Sequence, residues 1–356
     1  MSKPKLSKTT PPLRKTRKME TNQGPTVLEL CAGAGGQALG LESAGFVCAG
    51  AVDNDKEACR TLRHNRPDWR VIEEDLQKFS ATEFEGVDLV AAGCPCPPFS
   101  IAGKQLGAQD ERDLFPSALR VVRAAKPKAV LFENVRGFSS PKFAEYRANL
   151  HAKLKKMGYV VDDRVLHAAD FGVAQLRPRY ILVALREEFA EHFLWPHPHE
   201  GRVTVGAAVG DLMESHGWAG ARAWVERANK IAPTVVGGSK KHGGPDLGPT
   251  RAKRQWAELG VDGHGIAAAP PDKSFARDGN PRLTVSMVAR VQGFPDTWHF
   301  CGPKTSQYRQ VGNAFPPQVA EAVGRAIAAA LAGHAIAFKS EAQLPRFSQL
   351  VFAHIA

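Results

Sequence analysis

Glu29-Leu30-Cys31-Ala32-Gly33-Ala34-Gly35-Gly36 is the stretch on which the fold turns. An apolar run from Thr26 leads into it and a helix-forming run from Gly36 leads out, so it reads as a strand-to-helix turn of a parallel sheet. Glycines there let a ligand approach the backbone at a helix start, where unpaired amides face outward. Asp53 ends the next apolar run, twenty residues after Gly33, where a carboxylate is positioned to accept from ribose hydroxyls. A nucleotide-like cofactor is implied. The spacing falls short of the full G-x-G-x-x-G pattern, so the turn by itself does not choose the cofactor, and a purely structural glycine turn stays open.

Working outward, short apolar runs alternate with amphipathic ones. Thr26 to Ala32, Val47 to Asp53, Val71 to Asp75, Val87 to Gly93 and Ala129 to Val135 read as strands. Gly36 to Ala44, Lys56 to Asn65, Leu114 to Ala125 and Lys142 to Met157 read as crossover helices. The repeat predicts an α/β, doubly wound, mostly parallel sheet, extended by strands at Tyr159 to His167 and Arg179 to Leu185 through an antiparallel edge hairpin. Past Trp195 the texture shifts to Pro, Gly and His, and residues 196–295 read as a separate small domain with few periodic elements. Residues 296–310 then form a return hinge, and a proline-led helix, Pro316 to Leu331, completes a sheet domain made of 24–195 and 311–335. Residues 336–356 form a C-terminal tail with no signal of their own.

The 356 residues, 43% hydrophobic and 23% charged, suffice for a full core and two domains. No run approaches a membrane span, and Met1 to Glu20 lacks the apolar centre of a secretory signal, so a cytoplasmic protein is expected. Six thinly spread cysteines argue for reduced thiols rather than a disulfide framework. The net charge is +11, and residues 1–23 hold seven Lys and Arg against Glu20 alone, which reads as a basic disordered arm, with a phosphate-contacting arm as the open alternative. The milder excess over the body fits a polyanionic partner such as nucleic acid without demanding one.

The fourth strand runs into Ala92-Gly93-Cys94-Pro95-Cys96-Pro97-Pro98-Phe99-Ser100, setting a cysteine between prolines just past the carboxyl edge of the sheet. Open α/β sheets bind their ligands at that edge. Proline fixes its own φ and restricts the residue before it, so the Cys96 thiol is held rather than mobile, as suits a nucleophile. Competing readings are half of a metal site and a pair of inert small residues. No second close pair of cysteines or histidines completes a tetrahedral set, and no metal is expected.

Here the chain resembles the DNA (cytosine-5) methyltransferases, whose nucleophile loop reads P-P-C-Q-x-F-S. Glu133-Asn134-Val135 looks like the family's E-N-V, Gln175-Leu176-Arg177-Pro178-Arg179 like its Q-x-R-x-R, and Gln310-Val311-Gly312-Asn313-Ala314 like its late G-N-S/A element. Ile101 to Gln105 with Asp113-Leu114-Phe115, and Arg282-Leu283-Thr284 through Arg290 to Pro295, add two matches in the same order. The resemblance covers about residues 26–195 and 280–332. Departures are Cys94 for the first proline, Pro97 for the glutamine, and Ser286-Met287 where Arg-Glu is usual. Cys94 lies two residues from Cys96, and the fit of Pro95 and Phe99-Ser100 assigns the attack to Cys96.

The resemblance implies a prokaryotic restriction-modification type enzyme on the S-adenosylmethionine-dependent methyltransferase fold, with a smaller inserted target recognition domain at 196–295. A thiolate adding to carbon 6 of cytosine loads electron density onto carbon 5, which the methyl donor S-adenosyl-L-methionine then alkylates. Glu133 is implied as the acid at ring nitrogen 3, with a pKa raised by burial, although alone it would read as a strand-end acid or helix cap. Arg177 and Arg179, two apart on an extended segment, share a face; Arg177 is implied to hold the cytosine carbonyl and orient Glu133 or the loop, with Arg179 as support. For the cofactor the resemblance assigns Cys31, Gly33 and Gly35 to the turn, Asp53 to the ribose, Asp75 to the adenine amino group, and Pro95, Leu114 and Asn313 to the walls. A stacked duplex hides carbon 6, so the target cytosine is flipped into the pocket.

Candidate DNA contacts are Ser100, Gln175, Thr234, Lys240, Lys241 and Arg251, the last four where basic and glycine residues interleave in the insert. Expected partners are double-stranded DNA and a cognate restriction endonuclease acting on the same site; the enzyme is expected to be monomeric, off the membrane and nucleoid-associated. Three alternatives stay open at this point: an RNA cytosine-5 methyltransferase, a nicotinamide oxidoreductase that would use the glycine turn and Asp53, and a silent DNA-binding protein.

Overall fold

The computed structural model describes residues 24–94, 113–237 and 246–334. Seven strands, β1 (Thr26–Leu30), β2 (Val47–Asp53), β3 (Val71–Glu73), β4 (Leu89–Gly93), β5 (Ala129–Val135), β6 (Tyr159–His167) and β7 (Pro178–Arg186), form one sheet in the order β3-β2-β1-β4-β5-β7-β6. The pairs among β1 to β5 are parallel. Helices α1 (Gly36–Ser43), α2 (Lys56–Asn65), α3 (Phe115–Ala125) and α4 (Ala144–Lys156) make crossovers, as their sequence periodicity predicts. The strand order reverses between β1 and β4, which puts a topological switch point at the carboxyl ends of those two strands.

The crossover through α4 leaves β6 parallel to β5 but one position too far, and β7 fills the slot antiparallel to both. Of this antiparallel pair, β6 is therefore the edge strand, and β3 forms the opposite edge of the sheet. The sequence of each strand fits its place: β6 alternates exposed and half-buried residues, whereas seven consecutive residues of β7, Arg179 to Leu185, are buried on both faces.

One face of the sheet packs Leu28, Leu30, Val90, Val130, Phe132 and Leu182 against Phe115, Phe138, Leu150 and Leu154. The other packs Val27, Leu89, Ala91, Leu131, Ile181 and Val183 against Leu41 of α1 and Val319, Val323 and Ile327 of α11 (Pro317–Leu331). The late helix thus packs on this face of the sheet.

After β7 come a short α5 (Glu187–Ala190), then α6 (Val205–Glu214), α7 (Ala221–Arg227), α8 (Thr250–Glu258), α9 (Val285–Gln292) and α10 (Lys304–Asn313). Residues 196–282, expected to be nearly free of periodic elements, hold three of these helices, each ten residues or fewer. Most of the expected hinge, 296–310, is occupied by a loop and the first two turns of α10. The core of this second unit, built on Trp218, Trp224 and Trp256, is continuous with Leu39, Ala51 and Leu62 of the sheet layer. Among the described residues no helix is long and apolar enough to cross a membrane. Cys31, Cys48, Cys59, Cys94 and Cys301 are all free thiols.

Candidate active site

The glycine turn at the end of β1 has three residues at positive φ, Cys31 at 53°, Gly33 at 54° and Gly35 at 86°. That backbone curls around Asp53 at the end of β2, whose carboxylate accepts from the Gly33 amide at 2.8 Å and the Asp55 amide at 2.7 Å. A Cβ at Gly33 would meet no atom within 4 Å, so the turn faces open space that a ligand can enter. The cleft beside it is lined by Cys31, Val52, Asp53, Asn54, Glu74, Leu76 and Leu114. Four of the expected cofactor residues, Cys31, Gly33, Asp53 and Leu114, are thereby brought together, with Gly35 closing the turn against Leu62 and Trp298. Asp75 lies between two lining residues, but its carboxylate accepts from the Gln77 amide at 2.9 Å and caps its own turn. Asn54, Glu74 and Leu76 were not singled out from sequence, although each adjoins an expected residue.

Two strands along, Gly93 of β4 stands beside Glu133 of β5. Glu133 is buried, and its Oε1 accepts from Arg179 Nε at 2.8 Å. Burial pushes the Glu133 pKa up, and the Arg179 and Arg177 charges pull it partly back, so the net direction is upward, as expected from sequence. The next residue, Asn134, is fully buried and donates to the Cys94 carbonyl at 3.3 Å, tying β5 to the root of the cysteine loop. Cys94 itself is sealed in the aromatic core with Phe115 and Phe132, hydrogen bonded to the Cys31 thiol, and its pKa is driven well above the ordinary thiol value by that bond and by burial. A thiol so held stays protonated and is a poor nucleophile. Pro95, Cys96 and Ser100 lie outside the described residues.

Arg177 departs from its expected place. At φ 26° the chain is not extended there, so Arg177 and Arg179 do not present their side chains as alternate residues of one strand. Arg177 is buried and donates to the carbonyls of Val235 at 2.7 Å, Gly312 at 2.9 Å and Ala314 at 2.7 Å. The guanidinium that pairs with Glu133 belongs to Arg179, and Arg177 instead joins the second unit to the end of α10. At this joint a Cβ on Gly312 would come within 2.4 Å of the Gly237 Cα, so the two backbones touch as only glycines allow.

Gln175, expected at the DNA, is fully buried. Its amide donates to the Val291 carbonyl at 3.0 Å and accepts from the Val235 amide at 3.0 Å, so it is a structural bolt rather than a base reader. Asn313, expected on the cofactor wall, is exposed at the end of α10, where its side chain crowds Gly237. Thr234 is half-buried and Arg251 exposed on α8; Lys240 and Lys241 lie outside the described residues.

A family model described as C-5 cytosine-specific DNA methylase matches residues 25–329. The chain belongs to that family. It is a DNA (cytosine-5) methyltransferase, transferring a methyl group to carbon 5 of cytosine in DNA. The chain is similar to the type II methyltransferase M.NaeI of Lentzea aerocolonigenes, 57% identical over 87% of this chain and 76% of that one. It is also similar to M.NgoMIV of Neisseria gonorrhoeae, 52% identical over 86% of this chain and 98% of that one. In fold this methylase resembles the Entamoeba histolytica methyltransferase EhMeth, with a TM-score of 0.61 at 16% identity over 85% of this chain and 98% of that one. It likewise resembles the S. pombe Dnmt2 methyltransferase, with a TM-score of 0.57 at 17% identity over 87% of this chain and 98% of that one.

Proposed function

We propose that this methylase modifies a cytosine flipped out of a specific duplex sequence, through a covalent Cys96 adduct at carbon 6, with S-adenosyl-L-methionine as donor. The observation that carries the reading is the buried Glu133–Arg179 pair, adjacent through Asn134 to the root of the Cys96 loop and flanked by the glycine turn. A buried carboxylate with a raised pKa carries a proton to ring nitrogen 3 as the Cys96 thiolate adds to carbon 6. Arg179 fixes the orientation of that carboxylate and offers its remaining N–H groups to the base carbonyl. The open, positive-φ turn at Gly33 and the carboxylate of Asp53 fit a nucleoside-bearing cofactor, with Cys31, Asp53, Asn54, Glu74, Leu76 and Leu114 holding it. When bound there, S-adenosyl-L-methionine supplies an electrophilic methyl group on a sulfonium.

Residues 196–295 act in this reading as the target recognition domain, with Thr234 and the basic residues around Lys240, Lys241 and Arg251 facing DNA. The type II relatives support a place in a restriction-modification system, beside a nuclease that cuts the same unmodified site. The test is methyl transfer from labelled donor to unmethylated duplex DNA, comparing wild type with Cys96→Ser and mapping the product by bisulfite sequencing. Label at cytosine carbon 5 in one short sequence context, abolished by Cys96→Ser, is the expected result. Transfer that survives the substitution overturns the covalent step, and transfer to RNA but not duplex DNA overturns the substrate.

A further inference from the structure

Gln37, the second residue of α1, is 3% exposed, and neither its amide oxygen nor its amide nitrogen has a hydrogen-bond partner among the described residues. A buried amide left unpaired is costly, and persists in folded proteins chiefly where a ligand or bound water completes it. Where this amide lies is informative. A Cβ built on Gly93 would have three nearest neighbours, Gln37 Oε1 at 3.6 Å, the Cys31 carbonyl at 3.7 Å and Glu133 Oε2 at 3.7 Å. Two oxygens that only accept, Gln37 Oε1 and the Cys31 carbonyl, therefore converge beside a Glu133 oxygen on the space that the missing Gly93 side chain leaves open. That Glu133 oxygen is not the one paired with Arg179.

A nook walled by acceptors is complementary to an N–H donor. In the reading proposed above, on which this inference rests, Glu133 meets ring nitrogen 3 of the flipped cytosine. The group next to nitrogen 3 on the ring is the exocyclic 4-amino group, a donor with two N–H bonds. We infer that Gln37 contacts the flipped cytosine, accepting a hydrogen bond from its 4-amino group in the nook between Gly93, Cys31 and Glu133. Gln37 is then a specificity-determining residue for the reaction. It would favour cytosine over a base with no donor at that position, because the unpaired amide is satisfied only by the correct base.

The test pairs two enzymes with two bases. Wild type and Gln37→Leu are assayed for kcat/KM on duplexes carrying either cytosine or pyrimidin-2-one, which lacks the 4-amino group, at the target position. Thermal stability and affinity for S-adenosyl-L-methionine are measured alongside. Gln37→Leu should lose about 10- to 100-fold on cytosine, the range for one lost hydrogen bond in a desolvated site, and under threefold on pyrimidin-2-one. Its Tm should rise by about 2 °C or more, because leucine removes an unsatisfied buried amide without changing the packing volume greatly. Equal losses on both bases, or a lowered Tm with unchanged base preference, would overturn the contact and leave Gln37 a packing residue. A tenfold weaker cofactor affinity with unchanged base preference would also overturn it, assigning the amide to the cofactor.

Gly93→Ala gives an independent arm. Its added methyl meets nothing closer than 3.6 Å, so the fold should persist while the nook is filled, and activity on cytosine should fall at least tenfold. Full activity in Gly93→Ala would show that no ligand group enters the nook. Failure of wild type to methylate cytosine in any duplex would instead strike the proposed function, a result distinguishable from both.

Discussion

Arg179 Nε lies 2.8 Å from Glu133 Oε1, with the two side chains only 10% and 9% exposed. Register explains how they meet: Arg179 pairs with Val135 across the β5–β7 ladder and Ile181 with Glu133, so the two charged residues are diagonal neighbours on one face. Burial alone would leave the carboxyl neutral through a wide pH range; the guanidinium offsets part of that and fixes which oxygen is paired.

Removing Arg179 should therefore have a signed effect on pH dependence. Arg179→Ala deletes a charge that lowers the Glu133 pKa, so that pKa moves further up, and the alkaline limb of kcat/KM moves to higher pH with it. The rate at neutral pH should fall by about 10²-fold, since the carboxyl loses its orientation, and Glu133→Gln should cost about 10²- to 10⁴-fold. An unmoved alkaline limb in Arg179→Ala, measured across the pH range, would mean that Glu133 is not the group titrating there.

Arg177 should behave oppositely to Arg179. Its guanidinium serves three carbonyls in two different parts of the chain, so Arg177→Ala leaves buried acceptors unpaired and should cost about 3–5 kcal/mol. Arg177→Lys should recover only part, because an ammonium cannot reproduce the planar fork. Urea unfolding checks this: a Arg177→Ala enzyme as stable as wild type, yet inactive, would return Arg177 to the chemistry that its sequence position suggests.

What could be read from sequence, and what could not, divides along the same line. Strand β7 is legible as a central strand because Tyr180-Ile181-Leu182-Val183-Ala184-Leu185 is apolar without alternation, and its edge neighbour alternates. The positions of Glu133 and Asp53 are legible because Asp53 closes β2 and Glu133 stands two residues before the end of β5, near the edge where such sheets bind ligands. The destination of Arg177 is not, since its partners Val235 and Gly312 lie 58 and 135 residues away and its own φ is a tertiary outcome. Helix α7 was illegible for a different reason. Seven residues make two turns, too few for a 3.6-residue period to show, and Trp224 is held by its indole N–H donating to the Gly260 carbonyl at 2.9 Å rather than by helix propensity.

Glu29 sets a pH dependence of stability. It is buried in β1 with neither carboxylate oxygen hydrogen bonded among the described residues, and burial raises its pKa from 4.5 to about 8. Between those values the folded chain keeps a proton that the unfolded chain releases, so stability is highest below the unfolded pKa and falls as pH rises towards the folded one. The loss across that window should be a few kcal/mol, at about 1.4 kcal/mol per pKa unit. Glu29→Gln, neutral at every pH, should flatten the trend. Urea midpoints at pH 5, 6, 7 and 8 decide it, and parallel slopes for the two proteins would show that Glu29 is solvated in the folded state.

The proposed DNA contacts of the second unit can be tested by separating phosphate contact from base reading. On α8, Trp256 is fully buried and Lys253 pairs with Asp246 at 2.8 Å, whereas Arg251 and Arg254 are exposed. A guanidinium that meets a backbone phosphate releases a counterion on binding, so Arg251→Ala should weaken duplex binding evenly across sequences and reduce the slope of log K against log salt by about 1. Lys253→Ala should change that slope far less, its charge being already compensated. Gln175→Ala offers the contrast, because a bolt between Val235 and Val291 alters stability while leaving the methylated sequence unchanged. A changed recognition sequence in Arg251→Ala would mean that this arginine reads a base edge. An unchanged salt slope would place the phosphate-binding face elsewhere on the second unit.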